Sequence, residues 1–249
     1  MPQQKLAYAW RTDRGLVREH NEDSVAVMPE LGLLIVADGI GGAKAGDVAS
    51  RTAAEVITDQ VRSHSPPVPN QEEARLLAEE AVVAANKAVW AMAQQTPMYA
   101  GMGTTVVLGL VGPGWMVFAH VGDSRVYRLR DAKLQQLTKD HSFIQEVVDQ
   151  GFFPSLADAQ RYGVKENILT RGLGTSPQVV VDSGVVALQP SDLFLFCSDG
   201  LTGMVADDVL ARAMVNDGDD LDKLATILID LACAHGGLDN ITVALLRVY

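Results

Sequence analysis

A chain of 249 residues, 48% hydrophobic and 20% charged, can bury a sizeable core, and nothing in its composition marks a break between domains, so a single domain over 1–249 is expected. The formal net charge of −11, with no clustered run of Lys and Arg, sets the field against phosphate backbones and acidic lipid surfaces and argues against nucleic-acid and membrane partners. The two cysteines, Cys197 and Cys233, sit inside apolar stretches and do not make a disulfide framework. The start, MPQQKLAYAW, lacks the features of a signal peptide, and no apolar run approaches the roughly 20 residues that span a bilayer, so a cytoplasmic location is expected.

Leu6 to Thr12, Ser24 to Met28 and Gly32 to Ala37 read as strands, the last a nearly continuous apolar run that stops at Asp38-Gly39. Beyond Gly41-Gly42 the period changes. Val48, Ala49, Thr52, Ala53, Val56, Ile57 and Val61 recur at helical spacing and predict an amphipathic helix over about 44 to 62. Ser65 to Pro69 ends it as a helix–helix connection, and a second helix carries Leu77, Ala81, Ala84, Ala85, Ala88 and Met92 on one face. Thr104 to Val111, Trp115 to Val121 and Arg125 to Leu129, separated by glycine-containing turns, predict an antiparallel meander. A short helix over 142 to 150 is followed by an irregular stretch from Gly151 to Lys165, which reads as a mobile flap. Strands return at Val179 to Leu188 and Leu193 to Cys197. Leu221, Leu224, Ala225, Leu228, Leu231 and Ala232 then stripe a helix stopped by Gly236-Gly237, and Ile241 to Tyr249 closes as a strand. Without strict strand–helix alternation, the order predicts an α+β fold: a central antiparallel β-sandwich flanked by helices on both sides, in four layers.

Apolar strands repeatedly run into or out of an acid: Val36-Ala37-Asp38-Gly39, Phe196-Cys197-Ser198-Asp199-Gly200, and Asp239-Asn240 before Ile241. Asp123 lies in the turn Val121 to Ser124, and Glu22-Asp23 precedes another strand. Turn chemistry accounts for any one Asp-Gly pair. Five segments that bring carboxylates to the edge of a core are costlier, because each loses hydration and repels the others unless a cation compensates. Oxygen donors without His or Cys at metal-binding spacing favour a hard ion, Mg²⁺ or Mn²⁺, with Ca²⁺ less suited to chemistry. The small Gly39 leaves its carbonyl accessible as a further ligand.

Taken together, Arg18 to Asp23 (REHNED), Val36 to Gly42 (VADGIGG), Gly103 to Thr105 (GTT), His120 to Arg125 (HVGDSR), Leu169 to Gly174 (LTRGLG), Ser198 to Gly200 (SDG) and Asp239 to Thr242 (DNIT) resemble, in order, the motifs of the metal-dependent serine/threonine protein phosphatases of type 2C. The resemblance spans nearly the whole chain. It implies a β-sandwich with two Mn²⁺ or Mg²⁺ ions in a channel at one edge, which activate a water or hydroxide for attack on phosphoserine or phosphothreonine. Asp38 would bridge the ions and, with Asp239, count as catalytic. The Gly39 carbonyl, Asp199 and Asp239 would complete the ligands, and Glu22 and Asp23 would bind directly or through water. Arg18 would hold the substrate phosphate, since a guanidinium offers it two parallel donors. Bacterial members often carry a third ion, which Asp123 would share with Asp199, and the flap, about 143–168, would influence substrate choice.

Implied partners are phosphorylated proteins, substrates of a serine/threonine kinase and the kinase itself among them, acted on by a monomer. Ile40 stands where eukaryotic members carry a histidine proposed as general acid, which points to the bacterial type. His141 is expected to cap a helix or satisfy a buried hydrogen bond, His120 and His235 to be structural, and Cys197 to belong to the core. Two competing readings are a metal-bearing module that senses phosphoproteins without turning them over and a nucleotide hydrolase. The complete set of acids argues against the first, and the lack of a Walker-type glycine loop argues against the second.

Overall fold

The computed structural model describes residues 5–41, 45–64, 68, 70–165 and 168–249. The first four residues, Gly42, Ala43 and Lys44, where the first helix is expected to start, Ser65, Pro66, Pro67 and Pro69 of the proline-rich connection, and positions 166 and 167 of the expected flap lie outside the described residues. In chain order the elements are β1 (Leu6–Asp13), β2 (Ser24–Met28), β3 (Leu33–Ala37), β4 (Gly39–Ile40), α1 (Ala45–Ser63), α2 (Gln71–Gln95), β5 (Gly103–Thr104), β6 (Val106–Gly112), β7 (Trp115–Val121) and β8 (Arg125–Arg130). They continue with β9 (Lys133–Gln136), α3 (Phe143–Asp149), α4 (Leu156–Arg161), β10 (Asp182–Ala187), β11 (Leu193–Cys197), α5 (Asp199–Thr202), α6 (Asp207–Asp217), α7 (Leu221–Ala234) and β12 (Ile241–Val248).

Two five-stranded antiparallel sheets, ordered β1-β12-β11-β8-β9 and β10-β7-β6-β3-β2, form the sandwich. Side chains alternate between two buried faces, which is why the strands read as unbroken apolar runs. In β11, Phe194 and Phe196 enter the core between the sheets with Leu34, Val36, Val107 and Met116, while Leu193, Leu195 and Cys197 meet α6 and α7 on the outside. In β3, Leu34 and Val36 face inward, whereas Leu33 and Ile35 join the cluster under α1 and α2. Each such large side chain contributes about 1.5–3 kcal/mol through burial, enough in sum to fix which face of each strand points where. The four layers expected from the sequence are present.

Several expectations are corrected. The segments around Trp115 and Arg125 are not neighbours in one meander: β6 and β7 pair in one sheet, while β8 pairs with β11 and β9 in the other. The turn Gly122-Asp123-Ser124 therefore crosses between the sheets. The expected strand Thr104 to Val111 also breaks at Thr105, so that Gly103–Thr104 pairs with Gly39–Ile40 in a separate two-stranded sheet. The stretch expected to be irregular contains α4, capped by Ser155, whose Oγ accepts from the Asp158 N–H at 3.1 Å. That Ser-x-x-Asp pattern is a helix start hidden by the adjacent proline and aromatics. Helix α6 was unforeseen because only Leu210, Ala213 and Met214 face the core, and β10 begins three residues later than expected. Among the described residues no helix is long and apolar enough to cross a membrane.

Candidate metal centre

Strand registers bring the predicted acids to one edge. In one sheet Asp13 pairs with Ile241 and Cys197 with Val243 and Arg125, so β1 and β11 end where β12 and β8 begin. In the other, Ser24 pairs with Ala37 and Val106 with Val121, so β3 and β7 end where β2 and β6 begin. Asp38, Asp199, Asp239, Asp123 and the Glu22-Asp23 pair all emerge there, from segments up to about two hundred positions apart in the chain.

The backbone of Asp38 is gripped by the two threonines after Gly103. Its carbonyl accepts from Thr105 N–H and Thr104 Oγ1, each at 2.8 Å, and its N–H donates to Thr105 Oγ1 at 3.1 Å. Gly39 is required by close approach: a Cβ there would lie 2.3 Å from the Gly46 carbonyl oxygen and 2.6 Å from that of Glu22. At Gly200 a Cβ would lie 1.9 Å from the Asn240 carbonyl oxygen, so glycine lets the Asp199 and Asp239 segments touch.

Asn240 was missed as a functional residue. Its Nδ2 donates to the carbonyls of Arg14 (3.0 Å) and His20 (2.9 Å), and its Oδ1 accepts the Glu22 N–H (2.8 Å), tying the β1–β2 loop to the start of β12. The only sequence signal was its place beside Asp239. Asn240→Ala is expected to lower stability by about 2–3 kcal/mol, measured by urea unfolding, because it strands buried backbone groups, and to reduce turnover by releasing the loop that carries Arg18 and Glu22.

Burial and mutual repulsion dominate the electrostatics. The Asp23 carboxyl is pushed up to about 7 by burial, against hydrogen bonds from Thr242 and Ser198, with the charges of Asp199 and Asp239 adding to the rise. Asp123 is likewise raised to about 7 by burial and then by Asp199 and Asp140. Asp38 is raised well above the usual carboxylate range by burial and by Asp23, Asp199 and Asp123, and Asp199 is raised chiefly by burial. Asp38 and Asp199 lie close enough that each shifts the titration of the other. Glu22, raised by burial, has an unpartnered buried Oε1, and Asp23 an unpartnered buried Oδ1, although Asp23 Oδ2 accepts from Ser198 Oγ at 2.8 Å. Orphaned carboxylate oxygens beside mutually repelling acids fit a hard divalent cation.

Arg18 reaches the rim of this cluster, where its Nη2 donates to Asp239 Oδ2 at 2.6 Å, the two side chains 51% and 35% exposed. Beside Asp123 and Asp199 a cavity of about 270 Å³ opens toward Ile144 of α3 and Leu156 and Gln160 of α4. Ile40 pairs with Gly103 in the small sheet.

A second group, His120, His141 and Asp182, brings possible ligand atoms within 4.8 Å of one another, but it does not fit a metal. The imidazoles are stacked, centroids 4.6 Å apart and planes inclined by 17°, so their in-plane lone pairs cannot converge on one ion. His141 Nδ1 already accepts the Gly122 N–H at 3.0 Å, and Asp182 is paired with Arg171 at 3.0 Å. Both histidines are structural in the sense expected: His120 donates from Nε2 to the Lys139 carbonyl at 2.9 Å, and the cap of α3 is Ser142, not His141. Cys197 is fully buried in the core.

Comparison with known proteins agrees with this architecture. Residues 17–223 match the family model described as Protein phosphatase 2C. The chain is 39% identical over 248 residues to the serine/threonine phosphatase stp of Listeria monocytogenes, covering 96% of this chain and 94% of that protein. It is 37% identical over 244 residues to the serine/threonine protein phosphatase PstP of Mycobacterium tuberculosis, covering 98% of this chain and 45% of that longer protein. The crystal structure of the catalytic domain of PstP in complex with two manganese ions superposes with a TM-score of 0.85 at 35% identity, covering 98% of each chain. Likeness of this extent makes the protein an enzyme, a phosphoprotein phosphatase. More narrowly, the chain belongs to the protein phosphatase 2C family and is of the bacterial type.

Proposed function

We propose that the protein is a metal-dependent serine/threonine protein phosphatase in which Asp38, Asp199, Asp239 and the Gly39 carbonyl hold two Mn²⁺ or Mg²⁺ ions. Glu22 and Asp23 would complete the set directly or through water, and Asp123 would share a third ion with Asp199. The observation that carries this reading is the convergence of buried and half-buried, mutually repelling carboxylates, two with orphaned oxygens, at one edge of the sandwich. The two manganese ions of the PstP neighbour support the choice of metal. When bound, the ions supply charge neutralisation for the phosphoryl oxygens and a nucleophilic water of lowered pKa.

The chain's own residues do the rest. Thr104 and Thr105 fix the Asp38 backbone, so its carboxylate is placed without reorganisation during the reaction. Arg18, held at the rim by Asp239, exchanges that partner for two oxygens of the substrate phosphate. Ile40 offers no proton to the leaving alkoxide, which therefore takes one from another donor. Hydrolysis releases inorganic phosphate and the free serine or threonine hydroxyl. The substrates are phosphorylated proteins, products of a serine/threonine kinase, with the kinase itself among them. The protein works as a monomer, and the α3–α4 segment beside the cavity acts as the flap that influences substrate choice.

Phosphate release from a chromogenic phosphate ester and from a phosphothreonine peptide, assayed with Mn²⁺ and with Mg²⁺, tests the reading. No release with either divalent ion, or release that continues in EDTA, would sink it. Arg18→Ala is expected to raise KM about tenfold with kcat changed only a few-fold, because the clamp acts in the ground state and the transition state alike. An unchanged KM would remove Arg18 from phosphate binding.

A further inference from the structure

Gly122 makes the turn between the sheets possible. Its φ of +108° lies in the region that favours glycine, and a Cβ there would lie 2.6 Å from Thr105 Cβ and Cγ2. Such a turn has no inherent reason to hold one conformation. His141, buried to 5% exposure, grips it twice: its own N–H donates to the Gly122 carbonyl at 3.0 Å, and its Nδ1 accepts the Gly122 N–H at 3.0 Å. A backbone N–H can only donate, so Nδ1 is bare and Nε2 carries the ring proton. That proton is directed at Asp182 Oδ2, 3.2 Å away, while Asp182 Oδ1 is held by Arg171 Nη1. Stacking on His120 fixes the plane of the ring. The tautomer and orientation of His141 are thus set from one side, and the peptide immediately before Asp123 is set from the other.

We infer that His141 is a positioning residue for the candidate metal centre: through its Nδ1 it locks the Gly122 peptide so that the Asp123 carboxylate is aimed at the ion it shares with Asp199. This rests on the metal reading above. It adds a residue from outside the acid cluster, the link His141–Asp182–Arg171, and a direction of action that runs from the edge strand β10 through the imidazole to the turn.

Two isosteric substitutions separate the two ends of the ring. In His141→Asn the amide oxygen takes the place of Nδ1 and keeps the acceptor for Gly122. In His141→Gln the amide nitrogen takes the place of Nε2 and keeps the donor for Asp182, but leaves the Gly122 N–H unpartnered. Bound Mn²⁺ is counted and its affinities measured by calorimetric titration and by the electron paramagnetic resonance of the free ion, with thermal unfolding of each variant in parallel. Asp123→Ala identifies the ion in question as the one it loses.

The expected result is that His141→Asn binds this ion within about twofold of wild type, whereas His141→Gln binds it at least about tenfold more weakly and keeps the other ions. Wild-type Mn²⁺ binding in His141→Gln, or equal weakening in both variants, would overturn the inference, the latter pointing to a merely structural histidine. If His141→Gln does not fold, Asp182→Ala, at a position 44% exposed, takes its place. It should weaken the same ion about threefold, and wild-type affinity there would overturn the inference too. Wild type that binds no Mn²⁺ would instead defeat the metal reading itself.

Discussion

Asp38→Asn is expected to lower kcat by about a thousandfold or more and, at the same time, to raise the melting temperature of the metal-free protein. The two effects have one cause. Asp38 follows directly on the fully buried strand β3, and its half-buried carboxyl is raised by desolvation and by the neighbouring Asp23, Asp199 and Asp123. Without a cation its ionisation is opposed by lost hydration and by three neighbouring acids. An amide of the same shape carries no charge and can donate to Asp199, so the metal-free fold gains about 1–2 kcal/mol, or roughly 2–8 °C for a domain of this size. The same amide cannot bridge two divalent ions, because that takes an anionic ligand with both oxygens available. Activity and stability therefore move in opposite directions, as they do where a site is built from costly groups. Steady-state assays with Mn²⁺ and calorimetry in EDTA measure the two changes. Wild-type turnover, or a metal-free variant that melts below wild type, would contradict the assignment of Asp38 as the bridge.

What could be read in the sequence follows from the same physics. Strands β3 and β11 were legible because both their faces are buried, so an unbroken apolar run stops abruptly at Asp38 and at Ser198-Asp199. Helices α1, α2 and α7 were legible from period alone. Asp123 was legible as a turn residue, but its position at a crossing between sheets was not, since β7 and β8 look alike whether they pair or part. Helix α4 failed because its capping pattern, Ser155 to Asp158, sits beside Pro154 and a pair of phenylalanines that read as loop. Asn240 was read only as the neighbour of Asp239, and its three hydrogen bonds join residues more than two hundred positions apart, which no local pattern records. The two histidines were legible only as buried groups, because the role of His141 depends on which of its ring nitrogens faces Gly122. The ordered motifs, through their resemblance to a family, supplied the grouping of acids that spacing alone left open.

Removing divalent metal is expected to stop turnover at any pH, but to destabilise the protein only where the acids are ionised. Asp23 and Asp123 titrate near 7 in the folded protein against a usual value of 3.8, and Asp38 and Asp199 are also raised. Between about pH 4 and pH 7 the metal-free folded state therefore binds more protons than the unfolded state, and its stability falls as pH rises through that window. Below the unfolded value both states are protonated and the penalty is absent. Above about 7 it is fully present. Bound ions reverse the sign of the contribution, because they hold the carboxylates in the ionised form that burial opposes, and protons compete with the ions as pH falls. The melting temperature gained on adding Mn²⁺ to chelator-treated protein should then be largest at pH 8, on the order of 5 °C or more, and should shrink toward zero at pH 5. Calorimetry at pH 5, 6.5 and 8, with and without Mn²⁺, reads this directly. A gain that is independent of pH, or greater at pH 5, would show that the ions do not bind through these carboxylates.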